Sequence, residues 1–423
     1  MAHELAVWLF ANQVGTLSFD AGRLNFRYRP DWLAESGSVA LSCSLPLQAE
    51  PFEDQQCRPF FAGLLPEGNL RRLIARQYQV SSQNDFALLN AIGGECAGAI
   101  TFLPIGNSLP APDGARVEWL DEPELALLLN ELPQRPMLAG RDGLRLSLAG
   151  AQDKLPVVFD GRRIGLTREG QPSTHILKPP IPAVEGSVLN EAFCLALANA
   201  MRLQAAEANI HPIGDHHVLL VARYDRQLDS NGQLSRLHQE DFCQALCVVP
   251  EMKYQNEGGP DLHACFDLLR RVVRPSAPQV LRFLDYVVFN VLIGNHDAHA
   301  KNFSLLYNGA IPVLAPLYDV LSTAVYPDLT LKMAMKLGGK YNFNEVQVRH
   351  WDQFAEEAGL SKAQARKRIL NMARELPVAA RRLQAAGPFA AQPLIAKIVE
   401  IIEQRAELTV RRLSASLVSG LRD

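Results

Sequence analysis

The residues best suited to chemistry lie in one short polar segment, residues 293–303, which reads Ile-Gly-Asn-His-Asp-Ala-His-Ala-Lys-Asn-Phe. Within it Asp297 and Asn302 are five residues apart, and Asp319 follows 22 residues after Asp297. The same spacing, with a hairpin before the second Asp, occurs at the phosphoryl-transfer site of protein kinases. There the first Asp orients the attacking hydroxyl, and the Asn and the second Asp hold the metal ions. The segment therefore predicts transfer of a phosphoryl group from ATP.

The histidines of this segment allow a second interpretation. His299 stands two residues after Asp297, where protein kinases usually have a lysine, and an imidazole can donate a hydrogen bond there. His296 and His299 with Asp297 could instead indicate a zinc site. No further pair of ligands with helical spacing follows them, so a metalloenzyme is disfavoured.

The elements that must position this segment are a preceding apolar helix and a following strand. The chain from Asp241 onward is mainly helical, and the apolar spacing predicts helices over 261–273, 278–293, 350–386 and 391–418. Short strands are predicted over 303–307 and 311–314, and the second of these leads to Asp319. The predicted architecture therefore places all three kinase-like residues on connections of a helical domain.

A phosphate-binding turn is predicted at residues 149–154. Residues 144–148 alternate like a strand, and 156–159 continue as a second strand. The small residues Ala149, Gly150 and Ala151, followed by Lys154, would let backbone N–H groups approach phosphates. Taken by itself, one Gly flanked by two Ala is more typical of a plain hairpin turn. The Walker sequence of P-loop NTPases is absent, which disfavours that class.

Lys178 ends a predicted strand, residues 174–178, and Glu191 opens a predicted helix thirteen residues later. A strand Lys paired with a Glu on the next helix is the device by which kinases fix the α- and β-phosphates. Either residue alone could also be a solvated surface charge. Their order along the chain supports the kinase interpretation.

Residues 217–226 read as a buried strand that ends in polar groups. In a kinase-like arrangement this strand leads to the hinge, where Tyr224 would pack near the adenine and Asp225 near the ribose. An alternative is a strand closed by an Arg–Asp surface pair. Residues 237–244 are predicted to open the following helix with an acidic first turn.

Composition limits the class of protein. With 423 residues, 48% of them hydrophobic and 21% charged, the chain has the composition of a soluble globular protein with several domains. The net charge of −3 gives no global indication of nucleic-acid binding, and the basic run at 362–368 is more typical of a solvated helix face. The seven scattered cysteines predict reduced thiols in the cytoplasm. The sequence contains no uninterrupted apolar stretch long enough to span a membrane, so no membrane span is predicted.

Three domains are predicted. Residues 4–28 read as a three-stranded meander, followed by helices from Phe60 and a strand at 97–103, so that 1–104 forms a small α+β unit. A linker rich in proline and glycine is predicted over 104–116. Residues 117–240 would form a nucleotide-binding lobe and 241–423 a helical catalytic lobe. The predicted fold class is thus α+β, a two-lobed and atypical protein-kinase-like fold.

The chain resembles the HipA family of serine/threonine kinases, the toxins of bacterial HipBA toxin–antitoxin modules. The resemblance lies in short sequence blocks that follow one another in the family's order along nearly the whole chain. The blocks are Leu64–Gly68, Cys96–Ala99, Ser147–Lys154, Thr174–Lys178, Asn190–Glu191, Arg223–Arg226, Gln239–Asp241, Lys253–Tyr254, Gly258–Pro260, 293–303 and Leu317–Asp319. One departure is Ala222, where some members carry a glutamate, and a contact made through the backbone would tolerate this change.

The resemblance implies roles for individual residues. Asp297 resembles the catalytic base, Asn302 and Asp319 the Mg²⁺ ligands, and Lys178 the lysine that contacts the ATP phosphates. Ser147 matches the serine that HipA kinases autophosphorylate, which inactivates the enzyme by ejecting the phosphate-binding loop. The remaining positions at which the family lines its nucleotide pocket are Ala222, Tyr224, Asp225, Gln239, His299 and Tyr318.

The resemblance also implies partners. These are a protein substrate, such as an aminoacyl-tRNA synthetase, and a small helix-turn-helix antitoxin, HipB-like, through which DNA is contacted indirectly. Two alternatives come from other classes: a pseudokinase that acts as an antitoxin-bound co-repressor, and a small-molecule kinase of the aminoglycoside or choline type. The complete set of catalytic residues argues against the first, and the N-terminal meander and the Ser147 loop argue against the second.

Overall fold

The chain folds into two units. The structure is a computed structural model and describes residues 3–110, 116–168, 170–228 and 233–419. The first unit comprises Met1–Ile181, Asn209–Glu251 and Ser304–Val313, and the second comprises Pro182–Ala208, Met252–Phe303 and Leu314–Asp423. Helices and sheets are both abundant, which confirms the predicted α+β class. The predicted linker at 104–116 lies partly outside the described residues.

Fifteen strands and twelve α-helices are found in the described ranges. The strands are His3–Leu9 (β1), Asn12–Asp20 (β2), Arg23–Tyr28 (β3), Ile100–Pro104 (β4), Arg116–Leu120 (β5), Leu155–Phe159 (β6), Ile164–Arg168 (β7), His175–Lys178 (β8), Ala208–Ile213 (β9), His216–Ala222 (β10), Arg226–Leu228 (β11), Leu234–Arg236 (β12), His238–Asp241 (β13), Ser304–Tyr307 (β14) and Pro312–Leu314 (β15). The helices are Pro30–Ala34 (α1), Asp54–Gly63 (α2), Gly68–Gln77 (α3), Asp85–Ile92 (α4), Glu122–Glu131 (α5), Ser187–Ala200 (α6), Phe242–Ala245 (α7), Leu262–Val272 (α8), Ser276–Ile293 (α9), Val348–Glu357 (α10), Lys362–Gln384 (α11) and Pro393–Ser419 (α12).

The N-terminal sheet has the strand order β3-β2-β1-β4 and confirms the predicted meander. Alternate residues of β1 to β3 turn apolar side chains inward, where they meet α2, α3 and α4 in one core. Within that core the rings of Phe26 and Phe61 lie 5.4 Å apart. Strand β4 returns antiparallel to β1 and closes this part of the first unit.

A six-stranded sheet of order β5-β7-β6-β8-β10-β9 forms the rest of the first unit, together with two smaller sheets. The predicted strands at 174–178 and 217–226 correspond to β8 and β10, which pair antiparallel with Lys178 opposite Leu219. One of the smaller sheets, β13-β14-β15, brings Gln239 opposite Leu306.

Three local predictions were wrong in detail. Residues 144–148 form no strand: Leu146 makes only an isolated bridge to Glu95, because the alternating leucines are buried against a core without a neighbouring strand to pair with. Residues 238–241 are strand β13 rather than a helical turn, and the helix begins after Asp241, whose side chain caps it. Helix α6 begins at Ser187, so Glu191 lies in its second turn.

The second unit is helical, as predicted, and its core is aromatic. Phe266 of α8 lies 4.8 Å from Phe283 of α9 and 5.8 Å from Phe354 of α10, measured between ring centroids. The predicted helical region at 350–386 is divided into α10 and α11 at Gly359, a left-handed residue with a φ of 66°.

The basic run at 362–368 lies at the start of α11. Three of its four basic side chains pair with carboxylates at 2.6–2.8 Å: Lys362 with Glu356, Arg366 with Asp352, and Arg368 with Asp285. These pairs support the interpretation of a solvated, structural helix face.

No helix in the described part of the chain combines the length and apolar character needed to cross a membrane.

Candidate active site

The polar segment begins where α9 ends. Gly294 caps the helix with a left-handed φ of 76°, and its amide donates to the carbonyl of Asn290. A Cβ at Gly294 would lie 2.6 Å from the Cβ of Ala324, so this position has room only for glycine. Asn295 then bonds back to Asn290 through its backbone, 2.9 Å, and its side chain, 2.8 Å. The direction in which the segment leaves the helix is thereby fixed.

Asp297 is exposed, in contrast to its buried neighbours. Its backbone N–H donates to Oδ1 of Asn295 at 3.0 Å, and its carboxylate Oδ1 accepts a hydrogen bond from the phenol of Tyr254 at 2.7 Å. The ring of Tyr254 also meets the imidazole of His299 edge to face, with the centroids 5.1 Å apart. The hydrogen bond from Tyr254 thus holds the exposed carboxylate in orientation.

Asn302 and Asp319 are brought together by their neighbours in sequence. The phenol of Tyr318 donates to the carbonyl of Lys301 at 2.7 Å. The amide nitrogen of Asn302 donates to the backbone carbonyl of Asp297 at 3.1 Å. These two hydrogen bonds connect the chain segments that carry Asp297, Asn302 and Asp319, the three residues with kinase-like spacing.

The donor set at Asn302 and Asp319 fits a Mg²⁺ ion. With its amide nitrogen bonded to the backbone, Asn302 has its carbonyl oxygen available to a cation, and Asp319 supplies a half-buried carboxylate. Hard oxygen donors from one or two side chains, completed by phosphate and water, are the usual ligands of Mg²⁺. Asp319 has a left-handed φ of 56°, a conformation that is uncommon outside glycine and concentrated at functional sites.

The chain that follows Asp319 is tied back to the polar segment. The hydroxyl of Thr323 accepts from the backbone of His296 at 2.8 Å, and Ala324 donates to the carbonyl of Gly294 at 2.9 Å. Asn190 of α6 bonds both the amide and the carbonyl of Ser322. Helix α6 therefore supports the segment that follows Asp319.

His296 has a structural role. Its Nδ1 donates to the carbonyl of Thr330 at 2.9 Å, and its Nε2 accepts from the guanidinium of Arg405 at 2.7 Å. Burial and the charge of Arg405 lower the pKa of His296 to about 4, so the imidazole is neutral at physiological pH. Arg405, on α12, also donates to the carbonyl of Val291 at the end of α9. Both ring nitrogens of His296 are therefore used by protein, which disfavours a zinc site.

A cleft of about 430 Å³ opens at Asp297 within the second unit. Its lining residues are Tyr254, Asn256, Glu257, His296, Asp297, Thr323, Leu329, Thr330, Lys332, Met333, Ala334 and Tyr341. One wall is formed by the segment 329–334.

The other predicted nucleotide residues lie in the first unit, apart from His299 and Tyr318. Lys178 is buried at the end of β8, and Ala222 is half-buried at the end of β10, opposite His175. The lysine belongs to the first unit and its expected partner Glu191 to the second, so their pairing stays a prediction.

Tyr224, Gln239 and Asp225 form one hydrogen-bonded chain. The Tyr224 phenol donates to Oε1 of Gln239, and Nε2 of Gln239 donates to Asp225 at 2.9 Å. The Asp225 carboxylate also accepts from Arg223 and from the backbone of Gly98. Burial alone would raise the pKa of Asp225, but the charges of its arginine partners outweigh burial and lower it. Asp225 thus anchors a buried network, and its contact with a ribose stays a prediction.

Ser147 is fully buried in the first unit. Its hydroxyl donates to the carbonyl of Leu64 at 2.9 Å, and its backbone N–H donates to the carbonyl of Glu95 at 2.8 Å. Two hydrogen bonds hold the turn that follows. The backbone N–H of Glu67 donates to the carbonyl of Gly150 at 3.0 Å, and the ammonium of Lys154 donates to the carbonyl of Ala149 at 2.6 Å. The exposed residue of this turn is Ala151.

Two contributors were missed by the sequence reasoning. Tyr254 was noted only as part of a matched block, and Arg405 lies in a helix whose apolar spacing suggested a packing role alone. No local sequence signal distinguishes Arg405 from the other basic residues of α12. Its partners, residues 291 and 296, are more than 100 positions away in sequence.

The chain is similar to known proteins over most of its length. The chain matches the family model of the HipA N-terminal domain over residues 5–103 and that of the HipA-like C-terminal domain over residues 146–380. It is 47% identical over 373 residues to Y4mE of Sinorhizobium fredii, a protein named as a kinase, covering 87% of this chain and 89% of that protein. It is 29% identical over 380 residues to the serine/threonine-protein kinase toxin HipA of Shewanella oneidensis, covering 86% of each.

A solved structure of the Shewanella oneidensis HipA, HipB and operator DNA complex contains a chain that superposes with a TM-score of 0.86 at 27% identity. The superposition covers 97% of this chain and 98% of that one. The fold is kinase-like, and the similar proteins are named as kinases. The chain belongs to the HipA family, which confirms the resemblance and the kinase-like fold predicted from the sequence.

Proposed function

We propose that the protein is an ATP- and Mg²⁺-dependent serine/threonine kinase that acts on a protein substrate. The observation that carries the proposal is the exposed carboxylate of Asp297, oriented by Tyr254 and placed on the loop that also carries Asn302. Phosphoryl transfer needs this combination of a positioned base and metal ligands, and little other covalent chemistry from the protein.

Asp297 accepts the proton of the substrate hydroxyl as that oxygen attacks the γ-phosphorus, and the bond from the γ-phosphorus to the β-phosphate oxygen breaks to release ADP. The hydrogen bond from Tyr254 to Oδ1 orients the carboxylate for this role. Asn302 and Asp319 would hold Mg²⁺, which neutralises the developing charge on the phosphates when it is bound. His299, packed on Tyr254, would donate to a phosphate oxygen in place of the usual kinase lysine.

Residues of the first unit would bind the nucleotide. Lys178 would contact the α- and β-phosphates, and Ala149, Gly150, Ala151 and Lys154 would cradle the phosphates. Ala222, Tyr224, Asp225 and Gln239 would bind the nucleoside, the first of them through its backbone. These roles are supported by the order of the residues along the chain and by the match to the family blocks. In addition, Tyr224, Gln239 and Asp225 are joined in one hydrogen-bonded chain.

Autophosphorylation of Ser147 would inactivate the enzyme. A phosphate adds nearly two negative charges to a side chain that is now fully buried and bonded to Leu64. That packing cannot hold a phosphorylated side chain, so the segment 147–154 would leave its position. The turn would then no longer be available to the phosphates of ATP.

The biological setting that we propose is a toxin–antitoxin module. Support comes from the HipA of Shewanella oneidensis, which is named as a serine/threonine-protein kinase toxin and has been solved in complex with HipB and operator DNA. The partner would be a HipB-like helix-turn-helix antitoxin, and DNA would be contacted mainly through it. The substrate would be a protein needed for translation, such as an aminoacyl-tRNA synthetase.

The proposal is tested by phosphoproteomics of cells that express either the wild-type chain or the Asp297→Asn variant. We expect phosphoserine or phosphothreonine sites that appear only with the wild type, with growth arrest in the same cells. Growth arrest of equal strength with both proteins, without any differing phosphosite, would contradict the proposal.

A further inference from the structure

A buried carboxylate of the first unit, that of Glu95, is not used by the reaction described above. Glu95 follows helix α4. Its Oε1 accepts hydrogen bonds from the backbone N–H of Ser173 at 2.9 Å and from the hydroxyl of Ser173 at 2.6 Å, and its Oε2 accepts from the guanidinium of Arg236 at 2.8 Å. A buried charge needs several such donors to offset the loss of water, so Glu95 belongs to a polar network and not to the apolar core.

Two further arginines join Glu95 to Asp225, a residue proposed to bind the nucleoside. Oε1 of Glu95 accepts from Arg226 at 3.1 Å and from Arg223 at 3.4 Å. The same two guanidinium groups contact the carboxylate of Asp225, Arg223 at 2.7 and 2.9 Å and Arg226 at 3.2 Å. Each arginine therefore bridges two carboxylates, and Asp225 in turn accepts a hydrogen bond from Gln239 at 2.9 Å.

The network places three guanidinium groups, those of Arg223, Arg226 and Arg236, against the carboxylates of Glu95 and Asp225. Burial alone would raise the pKa of Glu95. The charges of its three arginine partners outweigh burial and lower the pKa to about 2, so the carboxylate is ionised at physiological pH. Removal of one charge from a buried network is strongly unfavourable, and the arginines would then shift toward Asp225 or toward solvent. The orientation of Asp225 therefore depends on Glu95.

The segment that carries Glu95 is itself held in place. The backbone N–H of Glu95 donates to the carbonyl of Arg145 at 2.7 Å, and its carbonyl accepts from the backbone N–H of Ser147 at 2.8 Å. Three residues further on, the backbone N–H of Gly98 donates to Oδ2 of Asp225 at 2.7 Å. Residues 95–98 thus hold Asp225 both through a side chain and through the backbone, which is how a supporting shell fixes a binding group.

We propose that Glu95 is a positioning residue for the nucleoside end of the ATP site, and that it acts on Asp225 through Arg223 and Arg226. The N-terminal region thereby contributes to ATP affinity, although none of the residues proposed to touch ATP lies within residues 1–104. This inference rests on the proposed function, because it assumes that Asp225 and its hydrogen-bonded partners bind the nucleoside.

Equilibrium binding by the full-length protein tests the two ends of the ATP site separately. The ligands are a non-hydrolysable ATP analogue with Mg²⁺, which uses both ends, and inorganic tripolyphosphate with Mg²⁺, which uses the phosphate end alone. For Glu95→Gln we expect the Kd of the analogue to rise about tenfold, as for a lost hydrogen bond to a charged group, with the Kd of tripolyphosphate within about twofold of the wild type. At saturating ATP, kcat should stay near the wild-type value, because the residues proposed for phosphoryl transfer are unchanged.

Two further variants separate positioning from general stability. Asp85→Asn changes a buried carboxylate of α4 that is paired with Arg58 at 2.8 Å and with Arg71, outside the network of Glu95. It should lower the free energy of unfolding and leave both Kd values near those of the wild type. Ser173→Ala removes a hydroxyl donor to Glu95 and keeps every charge, so it should fold and raise the Kd of the analogue about threefold.

The outcomes separate this inference from the proposed function. An unchanged Kd of the analogue in both Glu95→Gln and Ser173→Ala would overturn the positioning role alone, as would a parallel rise of the two Kd values or an equal loss of affinity in Asp85→Asn. If Glu95→Gln does not fold, the result for Ser173→Ala decides. A wild-type protein that neither binds the analogue nor forms ADP from ATP would overturn the proposed function, and the inference with it.

Discussion

The phenol oxygen of Tyr254 lies 2.7 Å from Oδ1 of Asp297, a hydrogen bond between the segment after α7 and the loop after α9. A phenol that donates to one carboxylate oxygen restricts the orientation of the carboxylate. The contact therefore links Tyr254, which is not part of the kinase-like spacing, to Asp297, the predicted base.

Removal of this hydrogen bond should slow the reaction without weakening ATP binding. Tyr254→Phe keeps the ring on His299 and loses only the donor, so we expect kcat to fall roughly tenfold, as for a hydrogen bond to a charged group of about 1.5 kcal/mol. Steady-state kinetics should show KM for ATP within twofold of the wild type. Tyr341→Phe lines the same cleft and should retain wild-type kcat. Equal kcat for Tyr254→Phe and the wild type would exclude a positioning role.

Gly294 is expected to be indispensable to the loop. An alanine there has an unfavourable φ of 76° and a Cβ 2.6 Å from Ala324, so Gly294→Ala should cost roughly 2–4 kcal/mol of unfolding free energy and lower phosphoryl transfer. Gly387→Ala is the control, because Gly387 has a φ of 56° but open space around its Cβ position. It should lose about 1 kcal/mol and keep its activity. Denaturant unfolding with equal losses for both variants would show that the steric contact with Ala324 has no effect.

The prediction from sequence was confirmed for elements with a strong local pattern, such as the meander of β1 to β3 and the strands β8 and β10. Spacing alone selected Asp297, Asn302 and Asp319. The structure joins their segments through Tyr318 and Lys301, and the catalytic roles stay predictions. The prediction failed where pairing partners decide the conformation. Leu146 has the alternation of a strand but pairs at a single bridge, and residues 238–241 become a strand because β14, more than 60 residues later, pairs with them. The contact of Arg405 with His296 is equally non-local, and no periodicity in either segment indicates it.

The stability of the protein should fall between pH 6.5 and about 4, in part because of His296. Burial and Arg405 lower the pKa of His296 to about 4, so in this window the unfolded chain binds a proton that the folded chain does not. Stability from this group is complete above pH 6.5 and lost as the pH falls toward 4, by up to roughly 3 kcal/mol. His296→Gln should therefore show a shallower loss of unfolding free energy over this range than the wild type.

Denaturant unfolding at several pH values measures the wild type and His296→Gln. The same slope in His296→Gln and the wild type would show that His296 titrates normally in the folded protein.

Ser147 should carry phosphate after incubation with Mg²⁺-ATP. We expect mass spectrometry to find the modification on the peptide that contains Ser147 and to find it absent in Ser147→Ala. The phosphorylated protein should be cleaved faster by protease within 147–154, because the buried hydrogen bond to Leu64 is then lost. Phosphate confined to other residues would exclude the proposed autoregulation and would leave the kinase assignment intact.

The central claim is that Asp297 is the base of a phosphoryl-transfer reaction. Its most direct test is the rate of transfer of the γ-phosphate of ATP to protein by purified Asp297→Asn, compared with the wild type and with Asp328→Asn, an exposed aspartate of the same unit. We predict a fall of roughly 10²- to 10⁴-fold for Asp297→Asn with an unchanged thermal unfolding midpoint, and no change for Asp328→Asn. Transfer by Asp297→Asn at the wild-type rate would contradict the claim.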